Sequence, residues 1–160
     1  MFAKALEFSS DARSVNVPMH SRNAVMLGGA TSTEATDDFS VRITSQLVKG
    51  PKPDNGVFIG FTTRSARFNQ RIGPLFDVDE YTLLLWSRHG TLCGTGKVDT
   101  PYCEPFVDVL VRGVVDREHG TISFYVDGVD CGVAWSGVEA TRILHATVTF
   151  CRPGVTATLV

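Results

Sequence analysis

An all-β chain folded as a β-sandwich is what the sequence predicts, on three observations. Val, Thr and Ile number 20, 16 and 5 of the 160 residues, against 11 Ala and 11 Leu. That balance suits pleated sheet, where β-branched side chains pack well, better than helix. Apolar residues recur at every second position in one short stretch after another, the period of a strand with one buried face. Glycine-closed turns separate these stretches, and no amphipathic helix of useful length intervenes.

Taken in order, the first element is the exception: residues 3–8 form a weak helical candidate. Phe39, Val41 and Ile43 then alternate with Ser40, Arg42 and Thr44, and Val57, Ile59 and Phe61 repeat the pattern. Val107, Val109 and Val111 alternate with Asp108 and Arg112, followed by Ile122, Phe124 and Val126. Ala146, Val148 and Phe150, then Val155, Ala157 and Leu159, complete the series. Asp127-Gly128 is the two-residue hairpin signal, because both turn positions need positive φ. Arg88-His89-Gly90 and Glu118-His119-Gly120 read as two further tight turns. Longer polar connections fall at 28–38, 49–56, 64–77 and 99–105, where a rigid scaffold offers its binding residues. No repeat, low-complexity tract or composition shift divides the chain, so residues 1–160 are expected to form one domain.

Charge narrows the function. With 15 Lys+Arg against 17 Asp+Glu, a net charge of −2 and a pI near 6.0, no global positive field attracts a polyanion, and no nucleic-acid partner is expected. A hydrophobic share of 43% with 20% charged residues is the composition of a folding chain. Lys4, Glu7 and Asp11 interrupt the first residues, so no apolar run of signal-peptide length stands there. The longest apolar run, around residues 83–86, falls far short of the roughly 20 residues of a membrane helix, and no membrane partner is expected. Cys93, Cys103, Cys131 and Cys151 are too sparse for a disulfide-stapled secreted domain. Reduced thiols and a cytoplasmic location are the expectation.

Catalytic chemistry finds little support. Gly94-Thr95-Gly96-Lys97 invites a phosphate-loop reading, but Thr91 occupies the first glycine position and Val98 replaces the metal-binding hydroxyl. No C-x-x-C occurs, and no nucleophile-elbow pattern surrounds a Ser or Cys. Cys131 and Cys151 read as small buried hydrophobes, and Asp116, Arg117 and Glu118 as solvent-facing turn charges. No catalytic residue, cofactor or metal is therefore expected. The connection after residue 63 differs: Arg64, Arg67 and Arg71 stand with Phe68 and Phe76, and Arg and aromatics dominate interface energetics.

Val114-Val115-Asp116-Arg117-Glu118-His119-Gly120-Thr121-Ile122-Ser123-Phe124-Tyr125-Val126-Asp127-Gly128, with Gly132-Val133-Ala134-Trp135, resembles the signature hairpin of the SPRY domain family. Phe39-Ser40-Val41-Arg42-Ile43, Val57-Phe58-Ile59-Gly60-Phe61 and Leu144-His145-Ala146-Thr147-Val148 resemble further strands of that family, in order, and the resemblance spans 39–159. Phe39 stands where the family usually has Trp, and His145-Ala146 where it often has an aromatic-Pro pair. The resemblance implies a bent antiparallel two-sheet sandwich and a monomeric, non-catalytic adaptor or scaffold that binds a short peptide segment of another protein. By the same resemblance the peptide sits among the connections 28–33, 49–55, 64–71 and 151–154. The expected partner-binding residues are Lys52, Asp54, Asn55, Arg64, Arg67, Phe68, Arg71 and Arg152. If the positive side chains share one rim, they suit a segment carrying Asp or Glu. The alternative is a lectin-like carbohydrate-binding sandwich, for which Asp54-Asn55 is the only close grouping, without an acidic ligand set around it.

Overall fold

Residues 7–8, 10–11, 13–16, 28–45, 56–63, 82–150 and 154–160 are described in a computed structural model of the chain. They hold thirteen strands and no helix. In chain order these are β1 (Glu7–Phe8), β2 (Ser14–Asn16), β3 (Gly28–Thr31), β4 (Asp38–Ser45), β5 (Val57–Thr62), β6 (Thr82–Trp86) and β7 (Thr91–Gly94). Then follow β8 (Lys97–Pro101), β9 (Leu110–Asp116), β10 (Thr121–Val126), β11 (Val129–Trp135), β12 (His145–Phe150) and β13 (Val155–Leu159). One sheet has the order β1-β2-β13-β4-β9-β10-β11 and the other β3-β12-β5-β6-β7-β8, with every pairing antiparallel.

The first sheet follows the period-two rule. Phe39, Val41 and Ile43 of β4, Val111 and Val115 of β9, and Ile122 and Phe124 of β10 face inward and are buried. Their alternates Arg42, Arg112 and Asp116 face water. Gly113 faces Phe39 and Phe124 across the ladder. A Cβ there would lie 2.6 Å from the Phe39 ring, so glycine lets that ring cross the strand and meet Phe61 edge-on at 4.9 Å.

The inner strands β12, β5, β6 and β7 of the second sheet are buried on both faces, while the edge strand β8 is largely exposed. Val57, Ile59, Phe61, Leu83, Leu85, Ala146, Val148 and Phe150 fill the common core. On the other face Phe58, Leu84 and Cys93 form a second apolar cluster against Trp86. The outward His145, Thr147 and Thr149 of β12 are buried too. Thr147 Oγ1 meets Thr31 Oγ1 at 3.0 Å and donates to the Ala30 carbonyl at 3.1 Å, which offsets its burial.

The hairpin signal holds: Asp127 and Gly128 have φ of 48° and 79°, and Val126 pairs with Val129. Asp127 also returns to β9, its amide donating to the Leu110 carbonyl and its Oδ1 accepting from the Leu110 amide, both at 2.8 Å.

Four expectations change. Glu7–Phe8 is strand, paired with β2, rather than the end of a helix, because the ladder gives its backbone partners that a short isolated helix lacks. Residues 3–6 lie outside the described residues. Gly28–Thr31 is an edge strand on β12 rather than open connection, its glycines notwithstanding. The connection at 99–105 loses its first residues to β8, whose Pro101 sits on an edge strand where a missing amide is harmless. Val107 and Val109 precede β9 instead of lying within it, because Asp108 takes a φ of 54° and breaks the extended run. Its Oδ1 accepts the Ser45 amide at 2.7 Å.

Candidate partner-binding surface

Register sorts the connections onto two ends. Thr62 pairs with His145 and Thr82, and Asp38 with Val114, so connections 32–37, 117–120 and 136–144 share one end with Thr63. Phe150 pairs with Val57, Ser45 with Val155 and Val126 with Val111, so turns 87–90 and 127–128 and connection 102–109 share the other.

At the first end, Arg117 ties three connections together. Its Nη2 and Nε donate to Asp37 Oδ1 and Oδ2 at 2.6 and 3.0 Å, and its Nη1 reaches the carbonyls of Glu139 and Ala140 at 3.1 and 3.3 Å. A bidentate guanidinium–carboxylate pair fixes both distance and orientation. The Thr36 amide donates to the Leu144 carbonyl at 2.9 Å, and the Ser32 amide to Ala146 at 2.8 Å. His145 Nδ1 lies 2.9 Å from the Ser32 carbonyl, and because a carbonyl only accepts, that nitrogen carries the proton. Asp38 takes a second bidentate guanidinium, that of Arg112, which holds its carboxyl below its ordinary range. The Asp116 carboxyl is held low by the His119 amide and ring and the Glu118 amide, which cap the turn.

On this frame lies a shallow cleft of about 780 Å³, walled by Thr33, Ala35, Thr63, Arg142, Ile143 and His145. A neighbouring hollow of about 420 Å³ is bounded by Asp37, Arg117 and Leu144. Ile143, common to both, is 65% exposed. Arg142 reaches Glu139 at 2.9 Å beside it. The arrangement offers an apolar contact point between fixed backbone walls, with charge around it already partly balanced.

All eight expected partner-binding residues, Lys52, Asp54, Asn55, Arg64, Arg67, Phe68, Arg71 and Arg152, lie outside the described residues, as does Cys151. What is described is where their segments join the sheets. The segment with Arg64 to Arg71 follows Thr63, in the cleft wall. The segments with Lys52 and Arg152 join strand ends at the opposite end, at Ser45 and Gly56 and at Phe150 and Gly154. Arg117, Asp37 and Ile143 escaped the sequence reading. Arg117 is no solvated turn charge, since its partners stand far off in the chain; an isoleucine amid polar residues after a glycine was the only available signal for Ile143.

The architecture matches solved structures over 98% of the chain. A human SPRY domain superposes with a TM-score of 0.68 at 12% identity, covering 94% of that chain. The fold is that of a SPRY-like domain. The SPRY domain of human HERC1 gives 0.65 at 17% identity over 92% of its chain, and the Neuralized NHR1 domain of Drosophila melanogaster 0.56 at 12% over 92%. No protein-family model and no curated protein matches the sequence. In this SPRY-like domain the resembling motif at 114–128 is the hairpin of β9 and β10 with the turn into β11. The structural likeness also takes in the first three strands, beyond the 39–159 span legible in sequence.

Proposed function

We propose that this SPRY-like domain is a non-catalytic, monomeric protein-interaction module of the cytoplasm that holds a short segment of a partner protein at the cleft end. The observation that carries the reading is Ile143, exposed in a cleft whose walls are braced by Arg117. An apolar side chain on a rigid, preorganised rim costs little ordering entropy on binding. Arg64, Arg67 and Arg71 follow Thr63 of the cleft wall in sequence, so the segment carries an aliphatic residue with Asp or Glu beside it, held by charge-assisted hydrogen bonds.

Selection from a displayed random-peptide library tests it, followed by affinity measurement of the selected peptide. The expected consensus pairs an aliphatic residue with acidic ones, and Ile143→Asp or the double change Arg64→Glu, Arg67→Glu weakens binding about tenfold or more, the scale of a lost interface anchor. Arg152→Glu leaves it unchanged. A consensus without acidic residues, or an affinity indifferent to Ile143 and the arginine pair, overturns the reading.

A further inference from the structure

Along one side of the sandwich the two sheets meet through small residues. Ala157 of β13 shares the inward face with Val155 and Leu159, Ala146 of β12 faces the core two residues before Val148, and Ala30 of β3 is paired with Val148. Packed sheets lie about 10 Å apart, a gap that large side chains fill and alanines do not. The result is a cavity of about 130 Å³ between β2, β13 and β4 on one side and β3 and β12 on the other, walled by Ala30, Val41, Ala146, Val148, Ala157 and Leu159.

The hydroxyls of its rim are committed within the protein. Ser14 Oγ donates to Thr158 Oγ1 at 2.9 Å, and Thr31 Oγ1 meets Thr147 Oγ1 at 3.0 Å. Ser32 Oγ donates to the Glu34 carbonyl at 2.8 Å and accepts the Ala146 amide at 3.1 Å. Arg13 is the exception. Its amide donates to Asp11 Oδ1 at 3.1 Å and its carbonyl accepts the Leu159 amide at 2.8 Å, but its guanidinium enters no ion pair or hydrogen bond among the described residues. Val15 is paired with inward-facing Ala157, so the strand period puts Arg13, two residues earlier, on the face turned towards the other sheet, where it lines the cavity mouth and stays exposed. No Asp or Glu lines the cavity to oppose an anion.

We propose that this cavity binds a small aliphatic monocarboxylate, its hydrocarbon tail seated among Ala30, Ala146 and Ala157 and its carboxylate on Arg13. Volume sets the length of the tail. An apolar cavity of about 150 Å³ stays dry and takes up a benzene-sized molecule, so one of about 130 Å³ holds a tail of roughly five carbons. The guanidinium fork matches a carboxylate with two parallel N–H···O bonds, and at an exposed mouth the charged end keeps part of its hydration. The cavity shares no wall residue with the cleft at Ile143, so this site stands independently of the peptide reading.

The test titrates the native chain, carrying ¹³C-labelled alanine methyls, with sodium hexanoate and follows the methyl resonances by NMR. The expected result is saturable shifts at Ala30, Ala146 and Ala157 with a Kd of about 1 mM or tighter, the scale for a ligand this small. Hexan-1-ol, which lacks the charge, and acetate, which lacks the tail, each bind about tenfold or more weakly than hexanoate. Arg13→Gln weakens hexanoate about tenfold and leaves hexan-1-ol as it was, whereas Ala157→Val narrows the cavity and weakens both. No saturable shift at those alanines, equal affinity for hexanoate and hexan-1-ol, or hexanoate binding indifferent to Arg13→Gln or to Ala157→Val overturns the proposal. The comparison of the three ligands on the native chain holds whether or not either variant folds.

Discussion

At the cleft end the connections are tied by exposed charges, Arg117 with Asp37 and Arg112 with Asp38, and by the Asp116 carboxylate capping its own turn. At the opposite end they are tied by half-buried neutral groups, the Tyr102 hydroxyl bonded to Gly132 and Phe124 where the β10–β11 register slips, and the Cys103 amide on the Gly90 carbonyl. The same task, pinning loops to a sandwich, is done with charge at one end and with burial at the other. The two ends therefore fail at opposite ends of the pH scale. Asp38 and Asp116 have folded-state values below their unfolded ones, so their contribution is present above about pH 4 and is lost as pH falls through the lowered values. Burial pushes Tyr102 up to about 12, well above its unfolded value of about 10. Its contribution is complete below about pH 10 and disappears as pH rises toward 12, with Cys103 acting in the same direction.

That contrast can be broken or sharpened by four substitutions, from the largest effect down. Phe124 is fully buried, stacks toward Phe61 at 6.4 Å and meets Tyr102 edge-on at 6.3 Å, so it belongs to the core both ends share. Phe124→Ala should cost about 3–5 kcal/mol in urea unfolding and lower stability at acid and alkaline pH alike. A loss confined to one limb would show that the ends unfold separately. Tyr102→Phe should cost about 1–3 kcal/mol, because the Phe124 amide and Gly132 carbonyl lose their shared partner, and should flatten the alkaline limb above pH 10. Unchanged alkaline behaviour would remove Tyr102 from the account.

Arg117→Met should cost only about 1 kcal/mol, since its side chain and that of Asp37 are 27% and 48% exposed. Affinity for a cleft-bound peptide should nevertheless fall severalfold, as the walls lose their brace. Normal affinity would show that the cleft holds its shape without the clamp. Asp38→Asn should cost a few tenths of a kcal/mol at neutral pH, a difference that vanishes in acid where the native carboxyl is protonated, so the acid limb of the stability profile becomes shallower. An acid limb as steep as that of the native chain would assign acid sensitivity to other carboxylates.

Much of the fold was legible because period two is a local property. Phe39, Val41, Ile43, Ile122 and Phe124 bury the face their alternation announces, and Asp127-Gly128 turns where its chemistry demands. The second sheet was harder. His145 to Phe150 alternate polar and apolar in sequence, yet all six are buried, and nothing local in Thr147 or Thr149 announces a covered outer face. Gly28 and Gly29 read as loop because isolated glycines favour turns, but β12 supplies the ladder that holds them extended.

The candidate site was less legible than the scaffold. Arg64, Arg67 and Arg71 stood out by composition, whereas Ile143 gains its meaning from the 32–37 connection beside it, about a hundred residues earlier in the chain. By itself the sequence determined the all-β class, the inward faces of β4 and β10, the tight turns and the motif of the β9–β11 hairpins, because each rests on neighbours within a few residues. Only the tertiary structure decided which connections share an end, that Arg117 braces three of them, and that the Tyr102 hydroxyl reaches Gly132 and Phe124. Those contacts join residues far apart in the chain, and their distances depend on how two twisted sheets pack rather than on any local spacing.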